Sequence, residues 1–249
     1  MLKKVGGILK TINYKDIEFI DNKLNYGSFG INRKCTFNGE VYAFKEFYED
    51  SYLKGKKMKL SLLNNIDEER FLIPKYWVKK DGRKKGYLTR FNHGKNIDEY
   101  SSNDLKLKYD LLKDAKDTIL LMHEYKIIHS DISGFNLMID NNKTSIIDFD
   151  NCFYEGFLPN INHTNDYAYD FIKKYGVIKE LDIFMFNLIT FSILNDISIH
   201  KIRSNIVLEN YGYFNTKDAI NLSNTLFLDN NFPSYDFLID TIDETSFTI

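Results

Sequence analysis

Cysteine is scarce in this sequence: Cys35 and Cys152 are the only two in 249 residues. They lie far apart and form no zinc-type spacing, so neither a zinc site nor a disulfide framework is expected. Two isolated thiols point to a reducing, cytoplasmic setting. Charge of one sign is also lacking, since 33 Lys and Arg against 35 Asp and Glu leave a net −2. That balance argues against a general nucleic-acid binder. No apolar run is long enough for a membrane span; the longest nearly uncharged stretch, 183–194, falls short of the ~20 residues a bilayer requires. The opening MLKKVGGILK carries positive charge without the apolar stretch of a signal peptide. There is no G-x-x-x-x-G-K-[ST], which removes the P-loop reading. The expectation is a soluble protein with neither membrane nor nucleic-acid partner. With 43 % hydrophobic and 27 % charged residues, the chain is ordinary globular material, long enough for one large domain or two packed lobes.

The most informative stretch is 127–151, IIHSDISGFNLMIDNNKTSIIDFDN. Apolar residues lead into His129-Ser130-Asp131, and Asn136 follows five positions later. Leu137-Met138-Ile139 and Ser145-Ile146-Ile147 read as two short strands. Asn141 and Asn142 form the turn between them, because asparagine tolerates left-handed backbone. Asp131 then sits on the loop entering a hairpin, Asn136 at the start of its first strand, and Asp148 just past its second. Three oxygen-bearing side chains are expected at one end. A hard divalent cation that keeps several waters takes one or two carboxylates and a carbonyl-type oxygen, with phosphates completing its shell.

H-x-D-x-x-x-x-N followed by D-F-x after an apolar strand resembles the catalytic loop and metal-binding turn of the protein kinase family. The resemblance implies that Asp131 accepts the proton of the attacking hydroxyl and that His129 is a scaffold residue. It also implies that Asn136 and Asp148 hold magnesium against the phosphates of ATP.

Upstream, 17–24 reads as a strand running into Asn25-Tyr26-Gly27-Ser28-Phe29-Gly30. Gly27 and Gly30 let backbone amides approach phosphates closely. The next strand, 40–44, ends at Lys45, and period-two geometry puts Val41, Ala43 and Lys45 on one face. This is similar to the V-A-x-K strand of kinases, which implies Ala43 under an adenine and Lys45 near its phosphates. Asn25 stands at the first glycine position of the family's loop. A basic helix is read at 51–63. The resemblance implies a glutamate there to pair with Lys45, but the simplest alignment gives Lys59 or Leu60. Strands are read at 71–78 and 86–91, joined by the solvated turn KKDGRKK. The hinge follows at Asn92-His93-Gly94, and Asp98 is a candidate ribose contact.

Further on, 101–104 is a cap cluster, behind which Leu112, Ala115, Ile119 and Met122 recur at helical spacing as a core stripe. After Asp148 come about thirty residues without clear period, suited to an activation or substrate-binding segment. Asp182 opens the apolar run 183–194, which resembles the buried helix whose aspartate props up the kinase catalytic loop. No A-P-E precedes it. Residues 216–227 and 235–242 read as further helices.

The resulting expectation is an α+β, two-lobed protein kinase-like fold with a small β-rich lobe over 1–92 and a mainly helical lobe over 93–249. The function it implies is transfer of the γ-phosphoryl group of ATP to Ser/Thr hydroxyls of a protein substrate, with magnesium, in the cleft. The second reading is a small-molecule kinase of the aminoglycoside or choline phosphotransferase type. Ser133 favours it, standing where protein kinases usually carry lysine, as does Asp150 in place of the D-F-G glycine. The third is a nucleotide-binding pseudokinase scaffold. Ser130 replaces the arginine that pairs with a phosphorylated activation segment, so activity is expected without phosphorylation at Thr164, Tyr167 or Tyr169.

Overall fold

The computed structural model describes residues 9–21, 23–27, 29–53, 55–99, 104–160, 166–194, 196 and 236–242. They divide into two compact units: Met1–His93 with Ser145–His163, and Gly94–Thr144 with Thr164–Ile249.

The first unit is built on a seven-stranded sheet. Its strands are β1 Lys10–Asn13, β2 Glu18–Phe19, β3 Asn25–Tyr26, β4 Gly30–Phe37, β5 Glu40–Phe47, β6 Tyr76–Lys80 and β7 Arg83–Arg90. The order is β1-β6-β7-β5-β4-β2, with β3 also paired to β4. Among the described strand pairs of this sheet, β1 on β6 is parallel and the others are antiparallel. Asn38 and Gly39 turn β4 into β5, and Asp81 and Gly82 turn β6 into β7. Their φ angles of 52°, 79°, 51° and 77° are all positive. Two consecutive left-handed residues make the tight turn whose twist matches that of the strands, which is why Asn-Gly and Asp-Gly stand there.

Alternation along β5 sends Tyr42 and Phe44 into a buried cluster with Ile17, Cys35, Val78 and Leu88. Val41, Ala43 and Lys45 take the other face, as expected. Gly86 lets β7 close on β5 beside Lys45, since a Cβ there would lie 1.9 Å from the Lys45 carbonyl oxygen.

Three expected elements in this unit are shorter. The strand at 17–24 survives only as Glu18–Phe19, because the Asp21 carboxylate accepts from Lys23 N at 3.0 Å and bends the chain locally. The helix at 51–63 is a short 3-10 turn, Asp50–Leu53, followed by α1 Lys56–Leu63. Gly55 at φ 81° lies outside helical backbone and separates the two. The strand at 71–78 begins only at Tyr76. Pro74 has no N–H to give, and Phe71 makes an isolated bridge to Ile146.

In the second unit, α2 Leu105–Glu124 starts at Asp104, whose carboxylate accepts from Leu107 N at 3.0 Å. The other expected cap residues, 101–103, lie outside the described residues. Leu112, Ala115, Ile119 and Met122 are fully buried. α4 Lys179–Leu194 is buried nearly all round, as its unbroken apolar run requires. β8 Lys95–Asn96, β9 Leu137–Asp140 and β10 Lys143–Ile146 form a three-stranded sheet. β9 turns into β10 through Asn141 and Asn142, at φ 49° and 60°.

Within the stretch read as aperiodic lies a helix, α3 Asp166–Tyr175, which buries Ala168, Phe171 and Ile172. Of the helix read at 235–242, the described part is a 3-10 turn, Leu238–Thr241. Asn187 takes the backbone groups that would extend it, donating to Asp236 O at 3.1 Å and accepting from Leu238 N at 2.9 Å. Residues 216–227 lie outside the described ones. Among the described residues no helix is long and apolar enough to cross a membrane.

Candidate active site

In the first unit, Lys45 leaves β5 between Asn32 on β4 and Tyr87 on β7. Its ammonium donates to Asp148 Oδ1, and to Asp150 Oδ1 at 2.9 Å. Asp148 follows β10 and precedes the 3-10 turn Phe149–Asn151. That turn is pinned by the buried Phe149, whose ring centroid lies 5.7 Å from that of Phe71. Ile146 N donates to Arg70 O, and Leu72 N to Ile146 O. Asp148 itself has φ 67° and ψ 47°, left-handed backbone that costs a non-glycine residue ~1–2 kcal/mol. Strain of this kind is retained where the surroundings fix it, commonly at functional sites.

Asp150 gives its second oxygen to Lys56 of α1 and keeps only 2 % of its side-chain surface exposed. Burial opposes its charge, but the Lys45 and Lys56 ammonium groups and the bonds it accepts hold its carboxyl well below the usual range. Asp148 is pushed up to about 7 by burial and by the facing Asp150 carboxylate, against the pull of Lys45. Burial disfavours the Lys45 ammonium, yet the two aspartates outweigh it and raise its pKa. Burial and the same two carboxylates raise that of Tyr87, whose hydroxyl lies 3.5 Å from Asp148 Oδ1 and 3.4 Å from Asp150 Oδ1. One turn along α1, burial lowers the pKa of Lys59, which donates to Cys152 O at 2.6 Å.

The glycine loop belongs to the same unit. Gly27 N donates to Gly30 O at 2.9 Å, and Tyr48 N to Phe29 O at 3.0 Å. A Cβ at Gly30 would lie 2.2 Å from Glu46 O, so β5 itself requires that glycine. At Gly27 the nearest atom would be 3.6 Å away, so the chain's own packing does not demand one there. Ser28 lies outside the described residues. Ala43 is half-buried, opposite Lys34 and Thr89.

The second unit holds Asp131 and Asn136. Asn136 closes a 3-10 turn, Gly134–Asn136, and its side-chain nitrogen donates to Asp131 O at 2.9 Å. That bond leaves the Asn136 side-chain oxygen as the end suited to a cation. The loop is held from behind by Asp182, which is fully buried on α4. One Asp182 oxygen accepts from Ser130 N at 2.8 Å. The other accepts from His129 N at 2.8 Å and lies 3.0 Å from His123 Nε2. These bonds accompany left-handed backbone at Ser130, φ 61°. Asp98, the candidate ribose contact, lies against the loop: a Cβ on Gly134 would meet its Oδ1 at 1.9 Å. Burial raises its carboxyl pKa.

Lys45 and Asp148 are thus brought together within the first unit, and Asp131 and Asn136 within the second. Sequence reasoning missed Asp150 as a partner of Lys45, along with Lys56 and Tyr87. The available signal was a second acid two residues after Asp148, combined with a neighbouring helix that carries lysines and no acid. Among the described residues, no group of three or more His, Cys, Asp or Glu side chains gathers to hold a metal. Asp148 in the first unit and Asn136 in the second each carry a hard oxygen donor, the chemistry that magnesium accepts. The bonds of Asp148 to Lys45 and Tyr87 both use Oδ1.

A protein-family model described as the RIO domain matches residues 86–154. This segment contains Asp131, Asn136, Asp148 and Asp150 and excludes Gly27, Gly30, Ala43 and Lys45. No curated protein matches the chain. The RIO domain is an atypical protein kinase-like family, so the chain is similar to a divergent family of that kind, and its α+β architecture is kinase-like. The match implies an atypical kinase-like, ATP-binding phosphotransferase.

Proposed function

We propose that this protein is a kinase that uses ATP and magnesium to phosphorylate Ser/Thr hydroxyls of a protein substrate in the cytoplasm. The observation that carries the reading is the pairing of buried Lys45 with Asp148, 103 residues further along the chain. In kinases the strand lysine faces the nucleotide phosphates directly and the acid of the D-F turn faces them through magnesium, so the two groups belong side by side. When bound, magnesium and ATP supply an electrophilic γ-phosphoryl group whose charge the metal neutralises.

The chain's own residues do the rest. Lys45 carries a fixed positive charge for the phosphates, and Gly27 and Gly30 leave backbone N–H groups near them. Ala43 makes room for the base. Asp148 and Asn136 present oxygens to the metal. Asp131 takes the hydroxyl proton, on a loop kept in shape by Asp182. Such catalysis is mainly positioning and charge stabilisation. In this reading 1–92 chiefly handles the nucleotide and 93–249 the acceptor, with the Asp148 turn serving the nucleotide. Both cysteines are free and buried, as suits a reducing compartment.

A small-molecule hydroxyl is the second reading, favoured by Ser133 and Asp150 at positions where protein kinases carry lysine and glycine. The test is magnesium-dependent ATP turnover with Asp131→Ala as control, scoring autophosphorylation and a generic protein substrate. Phosphoprotein lost in the variant supports the protein kinase. Turnover that yields no phosphoprotein moves the acceptor to a small molecule. Failure to bind ATP sinks the phosphotransferase reading.

A further inference from the structure

Buried Lys45 needs a counter-ion that stays in place, because an unpaired ammonium in the interior costs several kcal/mol. Asp148 alone does not meet that need if its carboxylate also holds a cation. α1, KKMKLSLL, has no acid to offer. The first unit solves the problem from another part of the chain. Asp150, at 1 % exposure, takes the Lys45 ammonium on one oxygen and the Lys56 ammonium on the other. The two cations flank the Phe47 ring, 5.6 and 5.3 Å from its centroid. Three residues on, Lys59 ties the same helix to the carbonyl of Cys152, just after the turn. Two lysines of the helix, Lys56 and Lys59, thus bond to the D-F-D turn and the residue after it, and the turn supplies the anion.

We propose that Asp150 is the positioning residue for Lys45. From the turn after β10 it does what a helix carboxylate would do, and it registers α1 on the site through Lys56 with the charges reversed. This rests on the phosphotransferase reading, in which Lys45 must be held at the phosphates.

The test uses the full chain and four variants: Asp150→Asn, Asp150→Gly, Lys56→Glu, and Lys56→Glu combined with Asp150→Gly. The last restores a helix carboxylate beside Lys45. Magnesium-dependent turnover is measured as kcat and KM for ATP, alongside calorimetric ATP binding and the thermal midpoint. A misplaced lysine is expected to lower kcat by about a hundredfold in Asp150→Asn and in Asp150→Gly. Lys56→Glu alone sets a carboxylate against Asp150 and falls comparably. The double variant recovers to within about tenfold of the parent, a rescue that loss of packing alone would not produce.

Should Asp150→Gly fail to fold, Asp150→Asn, which keeps the volume, still removes the charge. Parent-like kcat and KM in Asp150→Asn overturn the proposal. So does a double variant no better than Asp150→Gly. A change confined to the magnesium half-saturation, with kcat and KM intact at saturating metal, overturns it in favour of a metal-ligand role. A parent protein that neither binds nor turns over ATP marks the separate failure of the phosphotransferase reading, and the positioning role falls with it.

Discussion

Replacing Asp182 by asparagine tests how the second unit's loop is held, and the magnitude follows from its bonds. The Asp182 carboxylate serves two buried backbone N–H groups, His129 and Ser130, at 2.8 Å each. Asparagine keeps the volume but has one acceptor oxygen, and its amide would turn a donor toward the other N–H. One backbone donor is then left unsatisfied, at ~1–3 kcal/mol, and the surviving bond loses its charge assistance, at ~1 kcal/mol. The sum is about 3 kcal/mol. With a urea slope of ~2 kcal/mol per M, the midpoint should fall by more than ~1 M. Circular dichroism at 222 nm is the suitable probe, since α2 and α4 lie in the same unit as Asp182. The sole tryptophan, Trp77, is buried in the first unit and reports there. A dichroism midpoint within ~0.2 M of the parent would refute the reasoning, because it would mean that something other than Asp182 holds Ser130 in its left-handed turn.

Gly86→Ala should destabilise the first unit by ~2–3 kcal/mol, because its Cβ would lie 1.9 Å from a backbone oxygen that cannot swing aside; Trp77 fluorescence in urea measures it. Burial pushes the Cys35 thiol up to about 11, so at pH 8 it is protonated as well as enclosed. A thiol reagent should label Cys35 in the folded protein at least ~100-fold more slowly than in 6 M guanidinium, and comparable rates would contradict the burial.

What the sequence made legible depended on local signals. The hairpin turns carry their own backbone chemistry in KKDGRKK and at Asn141-Asn142. The α2 stripe repeats at helical spacing, and α4 is apolar without interruption. The alternation of β5 put Lys45 on the face away from the Tyr42–Phe44 core. Where a local bond competed with a regular pattern, the pattern misled: the Asp21 carboxylate ended the strand read at 17–24, and Gly55 cut the helix read at 51–63. α3 escaped because its stripe is only one turn long, Ala168 followed by Phe171 and Ile172.

The partner of Lys45 was illegible for a different reason. In the kinase pattern the carboxylate comes from the helix at the place of α1, which here carries none. The electrostatic requirement is only that an anion reach a buried ammonium; Coulomb attraction is indifferent to which segment delivers it. Asp150 meets that requirement from 105 residues away, while α1 meets the converse one by offering Lys56 to the same carboxylate. A helix without glutamate is therefore not by itself evidence of an inert scaffold. The charge pattern of the first unit is internally consistent: lysines on β5 and α1 converge on acids after β10, and Tyr87 lies within 3.5 Å of both acids. Two of the departures that set this chain apart from the kinase pattern, the missing helix carboxylate and the extra aspartate after D-F, are on this account one substitution made in two places. Changing either alone should damage the site more than changing both.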